Sequence, residues 1–176
     1  MLRPPFDVAA DNYYGAPGAV IELVEYGDFQ CKKCAAAFKE IKILQDITGN
    51  DLRFVFRHFP LVNLHPLSLE AAIASEAAAH QGKFWNMHNM LFQNQESLSR
   101  SLLIELAEDA NMNMSAFESK REHESVFKKV LYDFESGLIN NVTGTPAFFI
   151  NGFPYTGSYD FRSLYKIYRY LSALKE

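Results

Sequence analysis

Residues 19–34 read Ala19-Val20-Ile21-Glu22-Leu23-Val24-Glu25-Tyr26-Gly27-Asp28-Phe29-Gln30-Cys31-Lys32-Lys33-Cys34. The first eight are largely β-branched and apolar and lie between Gly18 and Gly27, the pattern of a buried strand. Gly27-Asp28 turns the chain. From about Cys31 to Ile47 the residues Cys34, Phe38, Ile41 and Leu44 recur at helical spacing, and Gly49 stops the run. Leu52 to Phe59 is a second strand, closed by Pro60. Strand, helix and strand with short joints predict a right-handed βαβ unit on a parallel sheet, which places the chain in the α/β class.

Upstream, residues 1–18 mix Pro4, Pro5, Gly15, Pro17 and Gly18 with polar residues and read as an arm that hugs or leaves the domain. Downstream, Pro66 to about Gln81 is rich in alanine and strongly helix-forming. Further helical runs are expected at about 83–93, 99–110, 115–120 and 122–139, with Ser99 and Ser115 as N-caps. Trp85, Phe84, Met87, Met90 and Phe92 read as the core of this helical block. The β pattern returns at Ala147-Phe148-Phe149-Ile150, turns at Asn151-Gly152 and resumes at Phe153 to Thr156, a hairpin signature. A last helix from about Asp160 to Leu174 places Leu164, Ile167, Leu171 and Leu174 on one stripe. The expected organisation is an arm at 1–18, one domain from 19–60 and 141–176, and a helical insertion at 61–140 folded against one sheet.

Composition narrows the function. The 176 residues are 48% hydrophobic and 22% charged, and 17 Lys+Arg against 21 Asp+Glu leave a net charge of −4. Nucleic-acid binders usually carry a basic surface, and no Lys/Arg block supplies one here. The longest apolar runs fall far short of the roughly 20 residues that span a bilayer. Met1-Leu2-Arg3-Pro4-Pro5-Phe6-Asp7 lacks the apolar core of a signal peptide, which predicts a cytoplasmic protein, or a periplasmic one if the chain has been trimmed. Two cysteines exclude a disulfide scaffold.

The chemistry therefore centres on Cys31 and Cys34, three apart at a helix start. Unpaired N–H groups of the first turn favour thiolate over thiol, and Lys32 and Lys33 add positive charge nearby. Cys31 is expected to be an exposed attacking nucleophile. Cys34, one turn in, is expected to be more buried and to resolve a mixed disulfide. A zinc site lacks a second Cys pair, and His58, His65, His80, His88 and His123 show no H-x3–5-H spacing; a bridging metal or iron–sulfur cluster shared by two chains is a minor alternative, and the expectation is no metal and no other cofactor. A purely structural disulfide is disfavoured because so short a loop constrains little chain entropy. His58 and His65 read as structural residues.

The chain from about 19 to 175 resembles the DsbA-like branch of the thioredoxin superfamily, in its short bacterial subgroup. The resemblance rests on Val24-Glu25-Tyr26-Gly27-Asp28-Phe29-Gln30-Cys31-Lys32-Lys33-Cys34, on Phe54-Val55-Phe56-Arg57-His58-Phe59-Pro60, on Gly82-Lys83-Phe84-Trp85, and on Val142-Thr143-Gly144-Thr145-Pro146-Ala147-Phe148-Phe149-Ile150-Asn151-Gly152. It implies a thioredoxin fold with a helical insertion, thiol–disulfide exchange with protein or small-molecule thiols, and a cis-proline at Pro146 facing the cysteines. Thr145 is then expected to offer free backbone groups to an extended substrate. The position of Glu25 implies a buried carboxyl that exchanges a proton with Cys34, with Lys32 or Lys33 as charge partner. Lys32 stands where relatives usually carry proline, and Lys33 where the best-known oxidants carry histidine, so redox direction stays open. Two other readings compete: a peptide-binding or chaperone-like module with a vestigial Cys pair, and a glutathione-dependent transferase or isomerase.

Overall fold

The computed structural model describes residues 1–174; residues 175–176, the end of the expected second domain segment, lie outside the described residues. The strands are β1 (Asn12–Tyr14), β2 (Ile21–Gly27), β3 (Leu52–His58), β4 (Ala147–Ile150) and β5 (Phe153–Tyr155). The helices are α1 (Lys32–Thr48), α2 (Ser68–Ala79), α3 (Phe84–Gln93), α4 (Arg100–Asp109), α5 (Met114–Arg121), α6 (Glu124–Ile139) and α7 (Phe161–Ala173). One sheet runs in the order β1-β3-β2-β4-β5. β2 and β3 are parallel, with Glu25 opposite Phe56, while β4 pairs antiparallel to β2 with Phe148 opposite Glu25.

The two-residue period of β2 sends Ile21, Leu23 and Glu25 to one face and Val24 and Tyr26 to the other. Ile21 and Leu23 belong to the larger core, which α1, α3 and α7 line with Phe38, Leu44, Met87, Leu91 and Leu164. Val24 and Tyr26 belong to a smaller core with Val55, Phe59 and Phe149, against which Phe134 of α6 packs. Glu25 is thus carried into the larger core by strand geometry, among apolar neighbours.

Residues 1–18 are more than an arm. Asn12–Tyr14 form β1 and close the outer edge of the sheet against β3. Leu2 is 2% exposed and its N–H donates to the Gly152 carbonyl at 2.6 Å. Asp11 makes a paired contact with the buried Arg57 at 2.8 Å, and Arg57 also donates to the carbonyls of Pro4 and Pro5. A three-residue strand inside a Pro/Gly-rich segment carries no periodicity of its own; its partner strand creates it. Two smaller expectations also change. Asn113, not Ser115, caps α5, accepting from the Ala116 N–H, because the chain leaves its turn at Asn111 (φ 52) early enough for Asn113 to reach the cap position. Leu174 lies past the end of α7 and is exposed, so the inner stripe ends at Leu171.

Candidate active site

Cys31 is the N-cap of α1 and Cys34 lies in its first turn. Both are free thiols. Cys34 has no exposed surface, and Cys31 keeps only 6%, so the expected exposed nucleophile is a recessed one. Asp28 shapes the approach: one carboxylate oxygen accepts from the Gln30 N–H at 2.8 Å, and the other accepts from the Leu61 N–H and from His65 Nδ1. Gln95, from the helical insertion, donates to the carbonyls of Phe29 and Cys31 at 2.8 and 3.0 Å. Sequence reasoning saw only a turn at Asp28 and nothing at Gln95, whose partners are backbone atoms more than sixty residues away.

The Cys31 thiol is pulled down to about 5, first by a hydrogen bond from the Cys34 thiol, then by Thr145 and by the backbone N–H groups of Cys34 and Lys33, against the opposing effect of burial. The Lys32 and Lys33 side chains are exposed, and their charges are not among these causes. Hydrogen bonds at the helix start therefore replace the lysine charges as the source of thiolate stability. Burial pushes the Cys34 thiol well up, with Cys31 and Glu25 adding to it.

Pro146 follows Thr145 through a cis peptide bond. The Cys31 thiol donates to the Thr145 carbonyl at 3.2 Å, so that carbonyl, expected to be free, is engaged in this state. The Thr145 hydroxyl is buried without another partner among the described residues. A groove of about 460 Å³ runs beside the pair, lined by Lys33, Gly144, Thr145, Pro146, Tyr155 and Tyr159 among others.

Glu25 is buried, and desolvation pushes its carboxyl up to about 8 against a hydrogen bond with Cys34 that lowers it. Cys34, rather than Lys32 or Lys33, is the group it meets. His58 and His65 are both tied to carboxylates, His58 to Glu76 and His65 to Asp28, each at 2.8 Å. The ligand atoms of His58, Glu76 and Asp133 lie within 4.8 Å of one another. Those atoms are occupied, however: Lys129 donates to Asp133 at 2.6 Å, and Asn12 donates to Glu76 at 2.6 Å. The cluster is an ion-pair network beneath β3 in which the half-buried Lys129 already supplies positive charge.

A helix-start Cys pair, a cis-proline loop across from it and a buried acid beneath it are carried together on this sheet order, the arrangement of a thioredoxin fold. The chain belongs to the thioredoxin family, whose model matches residues 7–167. It is similar in fold to a thioredoxin-like oxidoreductase from Silicibacter pomeroyi, with a TM-score of 0.79, 23% identity and coverage of 95% of this chain and 94% of that one. The α-DsbA1 protein of Wolbachia pipientis superposes with a TM-score of 0.83 at 21% identity, covering 97% of each chain. In sequence the chain is 39% identical over 165 residues to the Na(+)/H(+) antiporter NhaA 1 of Mycolicibacterium gilvum, covering 93% of this chain and 27% of that protein. The chain spans about a quarter of the length of the curated relatives it matches. No helix among the described residues is long and apolar enough to cross a membrane.

Proposed function

We propose that the protein is a thiol–disulfide oxidoreductase that exchanges disulfides with protein or small-molecule thiols through Cys31 and Cys34. The observation that carries this reading is the asymmetry of the pair. Cys31, at about 5, is a thiolate at neutral pH held against Thr145, which lines the groove beside Pro146, while Cys34 stays a buried thiol. In the reducing direction the Cys31 thiolate attacks one sulfur of a substrate disulfide, forming a mixed disulfide and releasing a substrate thiolate. Cys34 then gives its proton to Glu25 in its ionised form, which is the minority at neutral pH and grows as pH rises toward about 8, and attacks the Cys31 sulfur. The Cys31–Cys34 bond forms, the second substrate sulfur leaves as thiolate, and two electrons have passed to the substrate.

A first-cysteine value near 5 falls between about 7 in thioredoxin and about 3.5 in DsbA. The couple is accordingly expected between the reducing and strongly oxidising extremes, about −270 and −120 mV, where isomerisation and reduction of substrate disulfides are both accessible. The antiporter name carried by the relatives describes much longer proteins, and this reading attaches to the part that the chain matches. Dithiothreitol-coupled insulin reduction tests it: the wild type accelerates precipitation and Cys31→Ser does not. Equal rates for the two proteins reject enzymatic exchange and favour a binding module. Equilibration against glutathione then fixes the potential.

A further inference from the structure

Among the buried polar side-chain atoms without a hydrogen-bond partner among the described residues are Glu25 Oε1 and His88 Nε2. Both residues line one cavity of about 40 Å³ bounded by β1, β2, α1, β3 and α3. A water needs about 10–15 Å³ measured this way, together with polar partners, so the space and the two unsatisfied atoms together describe a hydrated site. Phe38, Ile41, Phe54 and Trp85 form its apolar walls; Tyr14, Lys42 and Asn89 form the side that reaches solvent, with the Lys42 ammonium 5.6 Å from the Tyr14 ring centre.

The chemistry of His88 is set by its neighbours. Its Nδ1 lies 3.1 Å from Asn89 Oδ1, and an amide oxygen only accepts, so Nδ1 carries the hydrogen and Nε2 presents a lone pair. The ring is packed among aromatic side chains, Phe56 the nearest with ring centres 4.7 Å apart. Burial, with the charges of His58 and Lys42 adding to it, pushes the imidazole down to about 3, which keeps it neutral. A neutral imidazole locked in this tautomer is a permanent acceptor.

We propose that water in this cavity joins Glu25 Oε1 to His88 Nε2 and is the route by which the Glu25 proton exchanges with solvent, His88 acting as a positioning residue. The inference deepens the proposed function and rests on Glu25 as the proton partner of Cys34. When Glu25 is ionised, the water donates one hydrogen to Oε1 and the other to Nε2. When Glu25 has taken the Cys34 proton, the same water accepts from the carboxyl and still donates to Nε2. The proton then leaves by exchange past Lys42 and Asn89, returning the carboxylate for the next turnover. The titratable groups that face Glu25 are Cys31, Cys34 and Lys42 from α1, His88 from α3, Tyr14 from β1 and Tyr159 ahead of α7.

The test follows the release of a peptide from a Cys31 mixed disulfide against pH in single turnovers. In the wild type the rate carries an inflection set by Glu25. His88→Phe, which fits the aromatic surroundings but offers no acceptor, is expected to slow release about tenfold or more at pH 7 and to move the inflection upward. His88→Gln, which retains an accepting oxygen, is expected to recover most of the rate. A folded His88→Phe with wild-type rate and inflection overturns the water link. Glu25→Gln separates the two readings: if it keeps the wild-type inflection, the role of Glu25 itself falls, whereas its losing the inflection while His88→Phe keeps it removes only the water link. Should His88→Phe fail to fold, wild-type spectra decide. Nitrogen shifts of a neutral imidazole protonated at Nδ1 from pH 5 to 9, with water cross-peaks to its ring protons, support the proposal; protonation at Nε2, or no such cross-peak, overturns it.

Discussion

At the residue scale the reactivity of Cys31 is a property of its hydrogen-bond donors. The largest lowering influence on it is the Cys34 thiol. Iodoacetamide alkylation is expected to show an inflection near 5, and Cys34→Ala is expected to raise it by about one unit or more. Lys32→Ala/Lys33→Ala should move it less, since both side chains are solvated and screened. A larger shift in the lysine double variant would return the weight to charge. Glu25 carries the opposite sign. Its ordinary value is 4.5 and its value in the fold is about 8, so the folded protein holds a proton that the unfolded chain releases between those values. Stability falls as pH rises through that window, and the full cost is present above about 8. Glu25→Gln should match the wild type near pH 4 and exceed it by ~5 kcal/mol near pH 9 in urea melts, while slowing exchange.

At the element scale, two contacts hold elements in place that have no reason to meet locally. Arg57 on β3 is 1% exposed, and its charge is answered by Asp11 just ahead of β1. Removing Asp11 leaves a buried guanidinium without its counterion, so Asp11→Ala should cost about 3 kcal/mol and expose the β3 edge to hydrogen exchange. Asp11→Ala/Arg57→Met is expected to recover part of the loss, and a loss confined to Asp11→Ala by less than half a unit of that scale would make the pair incidental. Gly137 on α6 lets the helix approach the sheet: a Cβ there would sit 2.6 Å from the Phe59 ring and 3.2 Å from that of Tyr26. Gly137→Ala should therefore destabilise by ~1–3 kcal/mol although alanine is the better helix former. A thermal melt separates these opposite expectations.

For the whole molecule, redox state and pH are linked. The thiolate of Cys31 exists only in the reduced protein, and its fold value of about 5 lies below the ordinary 9.0. Reduced-state stability from this group is lost as pH falls through about 5 and grows up to about 9, where the unfolded thiol also ionises. Glu25 works the other way over 4.5 to 8, so the two slopes partly cancel in the reduced wild type. The reduced-minus-oxidised melting difference should accordingly rise between pH 5 and pH 8, and rise in Glu25→Gln as well. Paired melts with and without reductant check this; an unchanged difference would mean that the Cys31 thiolate is not held by the fold.

The order of strands and helices was legible because each long element carries its own period: β2 and β3 by their apolar runs, α1 by Cys34, Phe38, Ile41 and Leu44, all of which are buried. The Cys pair was legible for a similar reason, since both sulfurs and the helix that presents them lie within one short stretch of chain. Glu25 could be named from its place on the strand feeding that helix. Its pairing with Cys34 followed from the resemblance, but its other surroundings were not legible, because Phe38 and Ile41 of α1 and His88 of α3 join it around one cavity only when the helices close over β2. The same holds for Gln95 on the Cys31 carbonyl, Asp11 on Arg57 and β1 on β3. A hydrophobic period acts through neighbours a few residues apart and is written in the sequence. A buried polar contact joins single atoms separated by tens of residues, and its partner, its burial and its pKa come into being only with the tertiary fold.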